Sequence, residues 1–145
     1  MIQTVNGTID ATELGITMCH EHLALDLSPI RKEEDSNFND TALIGREVEK
    51  MAALGVSSVI EVTCNDMGRD VRRLKELSDT YHIHIVASTG YYLEPYHSAF
   101  VRESEPERLC DVFCREILEG IDGTGIKAGV IGEVAAGENF MAPSE

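Results

Sequence analysis

Five residues near the N-terminus, Cys19-His20-Glu21-His22-Leu23, carry the first chemistry that can be read in the chain. On an extended strand, residues i and i+2 project to the same side. His20 and His22 can therefore share one cation, and imidazole nitrogen holds Zn2+ at about 2.0–2.1 Å. The motif is short, and spacing alone fits two ordinary strand-end histidines equally well. A second copy, His82-Ile83-His84, serves as an internal control. It falls at the start of a predicted strand rather than at its end, which favours a structural or solvent-facing role. Glu133 closes the apolar segment "AGVIGEV". A carboxylate is costly to bury without a partner. A metal held by His20 and His22 would be such a partner, and two carboxylate oxygens could bridge two metals. A solvated Glu in the following loop is the alternative. Cys110 and Cys114 lie four apart on a predicted helix, as a zinc pair or as two packed small residues.

The elements that must position these groups alternate. "TVNGTI" reads as a hairpin with a two-residue Asn6-Gly7 turn, both positions favouring φ > 0. Strands are predicted at roughly 16–22, 56–63, 83–88 and 129–134, from apolar runs bounded by turn signals. Between them lie three helices. The first starts at Asp40, with Ile44, Val48 and Met51 inward and Gly55 as its stop. The second, "GRDVRRLKELSDTY", turns Val71, Leu74 and Leu77 inward. Arg69 and Asp70 at its start read as a cap and an ion-pair partner. Ser104 is expected to cap the third, with Pro106 in the first turn and Leu109, Val112, Phe113 and Ile117 inward. The closing "APSE" reads as the start of a further helix. This β-α-β-α-β-α-β order predicts parallel strands with right-handed crossovers and helices on one side.

No GxGxxG turn follows the first strand, as a dinucleotide site would require. Polar groups gather instead at strand C-termini: His20 and His22, Thr63 and Asn65, Thr89 and Tyr92, and Glu133. A (β/α)8 barrel places its chemistry on that face. A complete barrel takes about 250 residues; this chain has 145. The expected architecture is therefore an α/β TIM barrel of which only the first four or so βα units are present, one domain over residues 1–145. Two sheet edges are then expected to be open, and the inward faces of Met18, Val62 and Val86 to lack partners. Such a chain should self-associate and bind zinc weakly.

Composition narrows the class. Hydrophobic residues make up 43% and charged residues 26%, so the chain is globular. A formal net charge of -14 disfavours nucleic acid and anionic membrane, both polyanions. No apolar run is long enough for a transmembrane helix, and the N-terminus lacks the pattern of a signal peptide. The four cysteines, Cys19, Cys64, Cys110 and Cys114, show no CxxC spacing. They are expected to be reduced and at least half-buried, in a cytoplasmic protein.

Four segments, "NGTIDATELGITMCHEHL", "GRDVRRLKELS", "IVASTGYY" and "GIKAGVIGEVA", together resemble the phosphotriesterase family of the amidohydrolase superfamily. The resemblance spans nearly the whole chain, with the segments in order. It implies a metal-dependent (β/α)8 hydrolase with a binuclear centre, usually zinc. His20 and His22 would bind the more buried metal, and Glu133 would be the bridging carboxylate. Lys127, at the start of its strand, is a poor bridge. Further ligands, two histidines and an aspartate, would come from later strands. The implied reaction is attack by metal-bridged hydroxide on a phosphotriester, lactone or carboxylester. Tyr92 resembles a substrate-side tyrosine of lactone-hydrolysing members; a wall aromatic is the other reading. The implied partners are a small-molecule ester or lactone and, for the full-length form, a second copy in a homodimer. The chain alone is expected to be inactive, and a non-catalytic fragment or binding protein of the same fold is the alternative.

Overall fold

The computed structural model of the chain describes residues 1–138 and 141–144. A hairpin of β1 (Ile2–Thr4) and β2 (Gly7–Ile9) comes first, followed by β3 (Ile16–Glu21). A short α1 (Ser28–Arg31) precedes α2 (Thr41–Ala53) and β4 (Val56–Glu61). Next come α3 (Val71–Tyr81) and β5 (His84–Thr89). The described residues end with α4 (Ala99–Glu103), α5 (Pro106–Leu118), β6 (Val130–Ile131) and a turn. The turn occupies part of "APSE" in place of the expected helix start, and Glu145 lies outside the described residues.

β3, β4, β5 and β6 form one parallel sheet in that order. With α2 packed on β4, and α3 and α5 on β5, this is the partial barrel that the alternation predicts. Helix starts follow local chemistry: the Asp40 carboxylate accepts from the Leu43 N–H, and that of Asp70 from the Arg72 and Arg73 N–H groups. Arg69 makes the anticipated ion pair with Glu116 of α5. Two hydrogen bonds of 2.8 Å join them, and a third runs from Arg69 to the Ser88 carbonyl. This buried clamp fixes the start of α3 against the end of β5. It also makes Glu116 the buried residue of α5, whereas Leu109, Val112, Phe113 and Ile117 are half-buried.

Several local expectations are corrected. The hairpin loop is Val5-Asn6, because Thr4 pairs with Gly7, and of the predicted turn pair only Gly7 has positive φ. Tertiary bonding selects this turn: Val5 is buried and its N–H donates to the Ile85 carbonyl at 2.8 Å. The hairpin thus closes the N-terminal end of the sheet. Its Gln3 carbonyl fills the space that a side chain on Gly129 would need, beside Val86. Val86 is buried there, Val62 is buried at the other end of the sheet, and Met18 packs against the main core, so these faces do have partners. A short helix not expected from the sequence, α4, is capped by Ser98 and ends at Ser104, whose N–H donates to the Val101 carbonyl, so Glu105 takes the cap position before Pro106. Of the free thiols only Cys64 is buried. Cys19 sits exposed on the edge strand β3, and Cys110 and Cys114 touch each other on the exposed face of α5.

Candidate metal centre

Each candidate side chain is delivered by the C-terminal end of a strand. β3 ends at Glu21, with His20 inside it and His22 the first residue beyond it, and extended geometry turns both imidazoles one way. Their ring centroids are 5.5 Å apart, near edge-to-face at 74°. Glu133 arrives by a different route. β6 pairs with β5 for only two residues, and Gly132 still donates to the Thr89 carbonyl. The next N–H, that of Glu133, passes over β5 and donates at 3.0 Å to the carbonyl of Val62, the residue just past β4. Gly132 permits this swing with φ of 128°. The predicted six-residue strand is cut short here, and its last residues turn inward. The Cys64 thiol accepts the change of course by donating to the Glu133 carbonyl at 3.0 Å.

The result is a three-donor cluster. Glu133 Oε2 lies 3.0 Å from His20 Nε2, and Oε1 lies 3.8 Å from His22 Nε2. One ligand atom from each residue falls within 4.8 Å of the others, and no other such group of three occurs among the described residues. The rims differ: the His20 side chain is 56% exposed, that of His22 only 21%. Burial lowers the pKa of His22, against the pull of Glu133, and so favours the neutral imidazole that a metal requires. Two neutral-type nitrogens and one carboxylate are a donor set suited to zinc, and their ligand atoms are close enough to share ions.

Behind His22 stands a residue that sequence reading missed. Glu61 is fully buried at the end of β4, and its pKa is raised to about 7 by burial. It accepts hydrogen bonds from the Leu23 N–H, the Thr63 N–H and the Thr63 hydroxyl. Thr63 in turn lies 3.0 Å from His22 Nδ1. A Glu inside "VSSVIEVT", otherwise a strand with no charge, was the available signal.

Tyr92 is half-buried at the mouth. Its N–H donates to both Asp66 oxygens at 3.0 Å, and its ring leans on Tyr96. Its carbonyl accepts from Ala135, two residues beyond Glu133. Burial, with the Glu133 charge second, raises its pKa and keeps the phenol protonated. Asp66 and His97, whose side chains are both buried, stand 3.8 Å apart beneath this loop. Asn65 is exposed and Thr89 is buried with an unpartnered hydroxyl; neither belongs to the three-donor cluster. His82 and His84 lie at the other end: His82 terminates α3 in left-handed conformation, and His84 opens β5 opposite Ser58.

The sequence pattern described as "Phosphotriesterase family" matches residues 1–145. The N-acetyltaurine hydrolase of Rattus norvegicus is 33% identical over 92% of this chain and 47% of its own length. A crystal structure of the phosphotriesterase homology protein from Escherichia coli, with phosphate in its active site, superposes with a TM-score of 0.87. It shares 34% identity, covering 94% of this chain and 46% of that one. A mutant phosphotriesterase-like lactonase of Deinococcus radiodurans gives a TM-score of 0.84 at 28% identity, over 99% of this chain and 48% of that one. The chain therefore spans about half the length of the relatives it matches.

Proposed function

Because the chain belongs to the phosphotriesterase family of hydrolases, we propose that it contributes the His20, His22 and Glu133 ligands of a zinc-dependent site that hydrolyses small-molecule esters. The observation that carries this reading is the convergence of those three side chains at the C-terminal end of a parallel sheet. His20 and His22 would hold one ion through Nε2, and Glu133 has an oxygen for each of two. Divalent metal, when bound, supplies a Lewis acid toward the scissile C=O or P=O and makes water acidic enough to ionise near neutral pH.

The chain's own residues do the rest. Parallel pairing of β3 with β4 fixes the backbone that carries the imidazoles, so less ordering is left for the moment of binding. Burial keeps His22 neutral. The protonated Tyr92 hydroxyl stands at the mouth as a donor for a substrate oxygen, its loop tied down by Asp66. The free thiols fit the reducing cytoplasm. Among the described residues no helix is long and apolar enough to cross a membrane.

A second reading, hydrolysis at an N-acyl bond, is favoured by the N-acetyltaurine hydrolase relative. The test is metal analysis of the complete protein, with rates on a lactone, an aryl carboxylester, a phosphotriester and an N-acyl amino sulfonate. Bound zinc with ester turnover that is lost in His22→Asn supports the first reading. Turnover confined to the amide selects the second. Full activity after exhaustive chelation would overturn both.

A further inference from the structure

The cluster behind His22 is buried, charged in type and unused by the reading above. Thr63 has a single hydroxyl proton, and two neighbours compete for it: Glu61 Oε1 at 2.5 Å and His22 Nδ1 at 3.0 Å. Oε1 also accepts the Leu23 N–H at 3.0 Å. That oxygen already faces a fixed backbone donor, so it takes the Thr63 proton as an acceptor. The Thr63 N–H reaches Oε2 at the longer distance of 3.3 Å, and the Ala24 backbone is a further donor to this carboxyl. With Oε1 as the nearer acceptor at 2.5 Å, the Thr63 proton points to Glu61. What remains toward His22 is a lone pair, and a lone pair must be met by N–H.

We infer that Thr63, oriented by Glu61, is a positioning residue that fixes His22 in the tautomer protonated on Nδ1. Nε2 is left with its lone pair facing Glu133 and the metal position. The inference rests on the metal reading for its consequence, though not for its geometry. A carboxylate acting on a ligating histidine through an intervening hydroxyl orients the ring and raises its basicity, and loss of such outer partners typically costs 10–100-fold in metal affinity. His20 has no such support among the hydrogen bonds described, which makes His22 the pre-set ligand of the pair.

The test uses the complete protein, metal-free and 15N-labelled at histidine, with the His22 signals identified by their loss in His22→Gln. Wild type and Thr63→Ser should show His22 protonated at Nδ1. Thr63→Val should show a mixture of tautomers, with His82 and His84 unchanged. Titration with zinc ion alone against a competing chelator should give about 10–100-fold weaker binding for Thr63→Val and rescue in Thr63→Ser. A wild-type His22 protonated at Nε2 overturns the inference, as does a Thr63→Val protein with unaltered tautomer and unaltered zinc affinity. If Thr63→Val does not fold, the wild-type tautomer still decides. Wild type that binds no zinc while His22 carries its proton on Nδ1 overturns the metal reading and upholds the hydrogen-bond assignment.

Discussion

The chain carries the His-x-His pattern twice, and the two copies have opposite fates. His20 and His22 lie where β3 ends and face a carboxylate that follows β6, and His22 is backed through Thr63 by a buried acid. His82 and His84 straddle the junction between α3 and β5. There His82 adopts φ 55°, ψ 39°, leaves the strand, and works as a helix stop. The i, i+2 rule holds only where both residues are extended, so the second copy never presents two rings to one side. At that end the hairpin closes the sheet with backbone and apolar groups. A short motif therefore acquires chemistry from the strand end it occupies and from what the neighbouring strands bring there.

The sharpest way to break this comparison is to remove ligands from each copy in the complete protein. His20→Asn with His22→Asn should weaken zinc binding by more than about 100-fold, beyond the range for outer partners. His82→Asn with His84→Asn should leave it unchanged. Isothermal titration with zinc measures both, and equal losses would erase the distinction.

A smaller effect concerns the acid that backs only the first copy. Folding holds the Glu61 proton from its ordinary value of 4.5 up to about 7, because burial disfavours the charge. As pH rises through that window the unfolded chain releases this proton first, so stability falls, and it is level above about 7. The loss is about 3 kcal/mol for a shift of this size. Denaturant titrations of metal-free protein at pH 4.5 and 7.5 should show this excess slope in wild type and not in Glu61→Gln. The same slope in both would assign the pH response to other groups.

The smallest effect sharpens the role of the second copy. Left-handed conformation costs a non-glycine residue about 1 kcal/mol, so His82→Gly should stabilise the fold by up to about that amount. Zinc affinity should not move. Thermal melts check the first statement and the same zinc titration the second; a destabilised His82→Gly would mean that the imbalance lies in contacts of the ring.

Periodicity in the sequence was enough to place β3, β4 and β5, the helices α2 and α3 and their caps at Asp40 and Asp70, because each depends on neighbours within a turn or a strand. It was also enough to put His20 and His22 on one side at a strand's end. It missed Glu61, whose buried carboxyl is met by its near neighbour Thr63 and by the Leu23 N–H, which another part of the chain brings in. It misjudged the hairpin turn, where a single bond from Val5 to Ile85 outweighs the local preference of Asn-Gly. It also assigned β6 six residues, although Glu133 leaves β5 to bond with Val62.

By itself the sequence determined the alternation of strands and helices, the polarity of strand ends and the presence of two histidines in register. These follow from backbone geometry, in which i and i+2, or i and i+4, are neighbours whatever the rest of the chain does. Only the tertiary structure decided that Glu133 meets those histidines and that Thr63 and Glu61 stand behind one of them. Those outcomes depend on contacts between residues roughly 40 to 110 positions apart, where packing and the satisfaction of buried polar groups select the partner.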